Sequence, residues 1–425
     1  MAPRSKNHPA AATAGIDRRA FLRAGAASAA GITLAPHAVA SGARWLDVPT
    51  PNGRNLVLVQ LSGGNDGLAT IVPHGDDELY RVRKTTAPRR KQLLGIDDYR
   101  GFHPNLASVR SEYDEGRVAV VEGCGYPNAV RSHFKSYEVW HTGQRAGRVS
   151  GDGWIGRLAA NVWSGEDEQP DRVVHFGGKA PYSLHSSAHP AVALASPTGY
   201  RWFGDDEVYA LGGEAICESE PDPYVDPRHA GRDATLAALR RTLDDARASS
   251  ARVRRAAAGY RTEAEYPKSR LSAALRDVAA LLSADVGTRV FSVQDRGYDT
   301  HSGQRASHDR RMGELDAALG AFVADLRRTD AGKRTVVLVL SEFGRRVKEN
   351  GSKGHDHGKA GPMLLLGAPV KGGLYGEHPS LTDLDAGDLR FTTDFRSVYQ
   401  TLVADWFGAD AEAVLGATYP RVALV

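Results

Sequence analysis

The feature that most constrains this chain is a set of short, nearly unbroken apolar runs, each closed by glycine or polar residues. They are Leu56 to Leu61, Val118 to Val121, Val173 to Phe176, Val290 to Val293, Val336 to Leu340 and Met363 to Leu366. Runs with so little polar alternation predict strands covered on both faces. Between them lie helical periodicities: Met312, Leu315, Leu319, Phe322, Val323 and Leu326 recur at three- and four-residue spacing directly before the Val336 run. A helix that feeds a strand, repeated along the chain, predicts an α/β fold with a doubly wound, mostly parallel sheet and helices on both faces.

Residues 228–284 differ in texture. Leu236, Leu239 and Leu243 share one face with dense arginine opposite, and after Pro267 a second periodic stretch carries Leu271, Leu275, Val278 and Leu282. The expectation is an inserted helical hairpin or cap, its arginines lining an anion site or, more simply, facing solvent.

At the other extreme of order, residues 17–40 read as an export address. Arg18 and Arg19 precede a charge-free Ala/Gly/Leu run from Ala24 to Leu34, followed by a small-residue exit ending at Ala40. Adjacent arginines point to the route that carries folded proteins, which makes the twin-arginine translocation machinery an expected partner. The expected domains are therefore a signal peptide over 1–40 and one α/β domain over 41–425. The expected location is periplasmic, cell-surface or extracellular.

The formal net charge of +3 belongs largely to that leader. Setting aside its five basic residues and one acid leaves 49 basic against 50 acidic residues, so no nucleic-acid partner is implied. No later segment has the length and apolarity of a membrane span. Cys124 and Cys217 lie in a chain destined for a disulfide-permissive compartment, and their pairing stays open.

Ligands of open α/β sheets bind beyond the carboxyl ends of strands, so the residues just after each apolar run matter most. Asp66 sits in a Gly-Gly-Asn-Asp-Gly turn after the first run, Asp299 and His301 follow the Val290 run, and Glu342 and Arg345 follow the Val336 run. His355 and His357 stand shortly before the Met363 run. Taken singly, these are an Asx turn, a helix cap, a surface ion pair and an exposed loop. Taken together at one sheet edge, three acids with several imidazoles repel one another unless a cation holds them. Carboxylate and imidazole ligands without thiolate suit Zn²⁺ or Mn²⁺, with Ca²⁺ or Mg²⁺ as further options.

The ordered motifs Arg131-Ser132-His133-Phe134, Gly153-Trp154-Ile155-Gly156-Arg157, Tyr298-Asp299-Thr300-His301, Ser341-Glu342-Phe343-Gly344-Arg345 and Asp356-His357-Gly358 are found together with the Gly-Gly-Asn-Asp-Gly turn. As a set they resemble a bacterial family of twin-arginine-exported proteins known as domain of unknown function 1501. That family is related to the alkaline phosphatase and sulfatase superfamily. The resemblance implies an alkaline-phosphatase-like domain that hydrolyses phosphate or sulfate esters at a metal centre. It implies metal-ligand roles for Asp66, Asp299, His301, Glu342 and His357, with His355 as the alternate for the last. Ser132 falls where a nucleophilic hydroxyl is expected. Separately, Arg131 or Arg345 is the expected clamp for substrate oxygens, because guanidinium matches their geometry.

Two departures stand out. Phe343 follows Glu342 where the superfamily commonly places a His, and only one residue separates Asp299 from His301. Cys124-Gly125-Tyr126-Pro127-Asn128 lacks the arginine required for formylglycine conversion. Gly151 to Gly156 matches a dinucleotide pattern without a preceding strand, and no Gly-x-Ser-x-Gly elbow occurs. His103, His133 and His141 could lie near the site, but a structural or surface role is the expectation for each. The expected function is hydrolysis of a small-molecule or cell-surface ester. The alternatives are a non-catalytic exported binding protein that keeps the fold and a metal-independent structural protein.

Overall fold

The unbroken apolar character of each run shows directly in how the strands are covered on both faces. In a computed structural model that describes residues 53–145, 151–163, 170–200 and 247–425, these runs become strands of one nine-stranded sheet. The leader over 1–40, Cys217 and residues 228–246 lie outside the described residues.

The strands are β1 (Asn55–Ser62), β2 (Val118–Gly125), β3 (Val173–Phe176), β4 (Val192–Leu194), β5 (Val290–Arg296), β6 (Thr335–Leu340), β7 (Gly361–Leu366), β8 (Gly373–Tyr375) and β9 (Thr393–Asp394). Their spatial order is β8-β2-β7-β6-β1-β5-β3-β4, with β9 also beside β2. Strand β1 is central and parallel to both neighbours, with Leu56 opposite Val290 on one side and Val336 on the other. Strand β7 is antiparallel to both β6 and β2. The segment from β6 to β7 therefore leaves and re-enters the sheet at the same edge.

Side chains alternate between faces, so β1 is buried twice over. Val57, Val59 and Leu61 join a core with Phe291, Val337 and two helices, α3 (Arg270–Ser283) and α4 (Gln304–Leu326). Leu56 and Leu58 join the opposite core with Val336, Leu338 and three helices, α1 (His133–Thr142), α2 (Trp154–Val162) and α5 (Phe395–Thr401). The result is an α/β fold with a mostly parallel sheet and helices on both faces. In the region expected as an insertion, residues 247–259 and α3 are helical. Helix α3 begins where Ser269 accepts from the Ser272 amide, a side-chain cap just after Pro267. No helix among the described residues is long and apolar enough to cross a membrane.

Candidate metal centre

The parallel strands β1, β5 and β6 end together, and the loops that follow them interlock through glycine. Gly63 and Gly64 have φ of 122° and 73°. A Cβ on Gly63 would stand 2.4 Å from the Asp299 amide nitrogen, and one on Gly64 would stand 2.3 Å from the Phe343 ring. Only glycine permits both this conformation and this approach. Hydrogen bonds close the seam: Ser341 Oγ donates to the Leu61 carbonyl at 2.6 Å and accepts from the Asn65 amide at 2.9 Å.

This seam brings Asp299, His301 and His357 into one group. His301 Nε2 and His357 Nε2 are 2.9 Å apart, and each lies 3.1 Å from Asp299 Oδ1. Three donor atoms at such separations approximate one face of a tetrahedral site, where bonds of about 2.0–2.1 Å place ligands roughly 3.3 Å apart. His133 belongs to the same cluster, since ligand atoms of His133, Asp299 and His357 lie within 4.8 Å of one another. Asp299 and His301 remain about half exposed, which leaves the cluster open toward solvent. The donors present fit a divalent ion of the Zn²⁺ or Mn²⁺ type.

Glu342 stands behind this cluster instead of within it. Fully buried, its Oε1 accepts from His133 Nδ1 at 2.7 Å, Tyr137 Oη at 2.9 Å and the Gly63 amide at 2.9 Å. Burial alone would raise the Glu342 carboxyl, but the His133 hydrogen bond and backbone amides hold it below the usual range. The same hydrogen bond raises His133. With Nδ1 committed to a carboxylate, His133 turns Nε2 toward Asp299 Oδ2 at 3.7 Å, the orientation a carboxylate gives to a ligating imidazole. Glu342 therefore acts on the cluster through His133. The Phe343 ring lies 4.8 Å from both the His133 and His357 rings and walls them in place.

Asp66 belongs to a different group. Its two oxygens receive Arg83 Nη1 at 2.9 and 2.7 Å, and Gln304 Nε2 donates at 2.5 Å. Both partners of the ion pair are shut off from solvent. Burial would raise this carboxyl, and the Arg83 guanidinium overrides it, holding Asp66 well below the carboxylate range. The cation expected at Asp66 is thus supplied from within the chain. His355 also faces inward, with Nδ1 donating to the Arg346 carbonyl at 2.9 Å and Nε2 accepting from Thr86 Oγ1 at 2.8 Å. Burial lowers it to about 4. His357, two residues on, is the imidazole that reaches the rim.

The two arginines expected to clamp substrate are both engaged. Arg345 is buried and spends its donors on the Gly64 and His355 carbonyls at 2.7 and 2.9 Å and on Asp299 at 2.7 Å, so it braces the seam. Arg131 donates to Asp388 at 2.7 Å while its carbonyl accepts from His357 Nδ1 at 3.2 Å. Between Arg131 and His133 lies Ser132, the half-buried residue that opens α1, and its hydroxyl makes no capping hydrogen bond. His133 is a contributor that the sequence weighed mainly as a structural or surface residue, and Tyr137 and Arg83 are contributors it did not single out. The helix start at His133 was the available signal for the first, while nothing local marks Arg83 as the partner of Asp66.

No curated protein matches this chain. Among solved structures it is similar to a protein of the alkaline phosphatase superfamily from Vibrio parahaemolyticus, at 12% identity and TM-score 0.39, covering 86% of this chain and 69% of that one. It is also similar to a putative sulfatase from Bacteroides thetaiotaomicron, at 9% identity and TM-score 0.37, covering 87% and 76%. Alkaline phosphatase from the Antarctic bacterium TAB5 aligns at 10% identity and TM-score 0.38, covering 84% and 99%. The family described as protein of unknown function (DUF1501) matches residues 102–397, a span that holds Ser132, His133, Asp299, His301, Glu342 and His357, and the chain belongs to that family.

Proposed function

We propose that this protein is an exported, metal-dependent hydrolase of phosphate or sulfate esters. The observation that carries this reading is the triangle of Asp299 Oδ1, His301 Nε2 and His357 Nε2 beside an uncapped serine. Asp299, His301, His357 and His133 would hold the ion, Zn²⁺ or Mn²⁺ before Ca²⁺ or Mg²⁺. When bound, such an ion supplies charge stabilisation to ester oxygens.

The chain's own residues account for the rest. Ser132 Oγ lies at the start of α1, where the amide dipole favours a hydroxyl losing its proton. As its attack forms the bond to phosphorus or sulfur the hydroxyl proton passes to solvent, and the alcohol leaves with the electron pair of the broken bond and takes up a proton from solvent. Water then cleaves the seryl ester and restores the hydroxyl. Phe343 keeps the imidazoles in place, and Glu342 fixes the His133 ring through Nδ1. The leader over 17–40 supports export through the twin-arginine machinery, with a small-molecule or cell-surface ester as the substrate met outside.

The test is turnover of a panel of phospho- and sulfo-monoesters by Zn²⁺- or Mn²⁺-reconstituted protein, with elemental analysis alongside. Absence of hydrolysis across the panel would defeat catalysis, and absence of a stoichiometric ion would defeat the metal centre. The Arg83–Asp66 ion pair favours a second reading, a one-ion exported binding protein without catalysis. That reading gains if metal binds while every activity or phenotype survives Ser132→Ala.

A further inference from the structure

Next to the rim lies a cleft of about 540 Å³, reached past Asp356, whose carboxylate is 3.4 Å from His301 Nδ1. Its apolar residues include Val82, Val347 and Leu384, and its charged residues are acids and bases in equal number. The acids, however, are each turned toward donors within the protein, although only Glu78 meets a base among the cleft residues. Glu78 pairs with Arg81 at 2.5 Å, Glu349 accepts from the Thr85 and Thr86 amides at 2.9 and 3.1 Å, and Asp356 accepts from Asn350 at 3.1 Å.

The bases are not matched in the same way. Lys348 is exposed and meets no carboxylate among the described residues. Arg346 donates to the Ala386 carbonyl, which also accepts from Arg131 at 3.0 Å. Two guanidiniums thus converge on one oxygen, and a single fully buried carboxylate, Asp388, serves both: 2.7 Å from Arg131 but 3.5 Å from Arg346. Lys359 approaches the same carboxylate at 4.0 Å while pairing with Asp385. Arg346 is left with a weak ion pair, a third exposed, on the cleft side of this cluster. Planar guanidinium and a free ammonium over an apolar floor are suited to a tetrahedral oxyanion carried on a carbon skeleton.

We propose that this cleft is a subsite for a second oxyanion of the substrate, held by Arg346 and Lys348. Resting on the hydrolase reading of the rim, this makes the substrate a polyanionic ester, with one sulfate or phosphate group at Ser132 and at least one more in the cleft. The esterified skeleton lies over Val347 and Leu384, and the group in the cleft is bound without being cleaved.

The probe is sucrose octasulfate, titrated calorimetrically into metal-free full-length protein, with sucrose as the uncharged counterpart. Binding of the octasulfate but not of sucrose is expected, weakened at least tenfold by Arg346→Gln with Lys348→Gln. The pair Arg89→Gln with Lys91→Gln, which removes the same charge from an exposed stretch outside the cleft, leaves it unchanged. Lys348→Gln alone, at an exposed side chain that folding does not need, weakens binding severalfold. No binding, or equal loss from both pairs, overturns the proposal. Because neither metal nor turnover enters the readout, a protein that binds the octasulfate yet hydrolyses nothing defeats the hydrolase reading alone. One that hydrolyses monoesters without binding the octasulfate defeats the subsite alone.

Discussion

His133 and Glu342 are 209 residues apart in sequence, yet Nδ1 of one lies 2.7 Å from Oε1 of the other, and this contact aims His133 Nε2 at Asp299. Glu342→Gln keeps the shape and removes the charge. Loss of such a supporting carboxylate lowers metal affinity by about 10–100-fold. Competition with a chromogenic chelator reads the change, and an unaltered affinity would show that the ring needs no carboxylate behind it.

Asp66 and Arg83 make a fully buried ion pair. Removing one partner leaves a stranded charge, a loss of about 3–5 kcal/mol. Arg83→Met is therefore expected to be strongly destabilised in urea, and Asp66→Asn added to it to recover part of the loss. Additive effects in this cycle would contradict direct pairing.

Ser132 opens α1 without a side-chain capping bond. Losing a true cap costs typically about 1 kcal/mol. For Ser132→Ala we expect stability within a few tenths of a kcal/mol of the parent while hydrolysis falls by roughly a hundredfold or more. A destabilised variant with full activity would reverse the assignment and make Ser132 a structural residue.

Burial lowers His141, packed near Glu342, from its ordinary value to about 4. As pH falls below 6.5 the unfolded chain takes up this proton before the folded one. The stability present above pH 6.5 is therefore lost at about 1.4 kcal/mol per pH unit, until the folded group titrates near 4. His141→Gln removes that loss, so its stability relative to the parent should improve by this amount per unit between pH 6.5 and 4. A gap that does not move with pH would mean that the imidazole is not held neutral in the fold.

If residues 17–40 are a twin-arginine leader, Arg18→Lys with Arg19→Lys should leave the protein in the cytoplasm. Cell fractionation reads the outcome, and undiminished export of the variant would point to another route.

The strands were legible because burial on both faces writes itself into composition: Val173 to Phe176 matches β3 end for end, and the Val290 run extends only to Arg296. The loops that converge were legible too, since the parallel strands carry Asp299 and Glu342 to the same edge as the Gly63 turn. What the sequence could not supply was partner choice. Asp66 and Glu342 look alike as acids after strands, but Arg83 arrives at one and His133 at the other through tertiary packing alone. His355 and His357 are likewise indistinguishable in a loop until Thr86 and the Arg346 carbonyl take up the first.

The reversal of β7 has a consequence for changes of loop length. Because β6 and β7 are antiparallel neighbours, the stretch from Ser341 to Ala360 needs no return crossing of the sheet. That one stretch carries Glu342, His357 and the Arg346–Lys348 wall, and Ser341 and Arg345 tie it to the turn after β1, so a change of length within it would displace the rim and the cleft together while the strands stay in register.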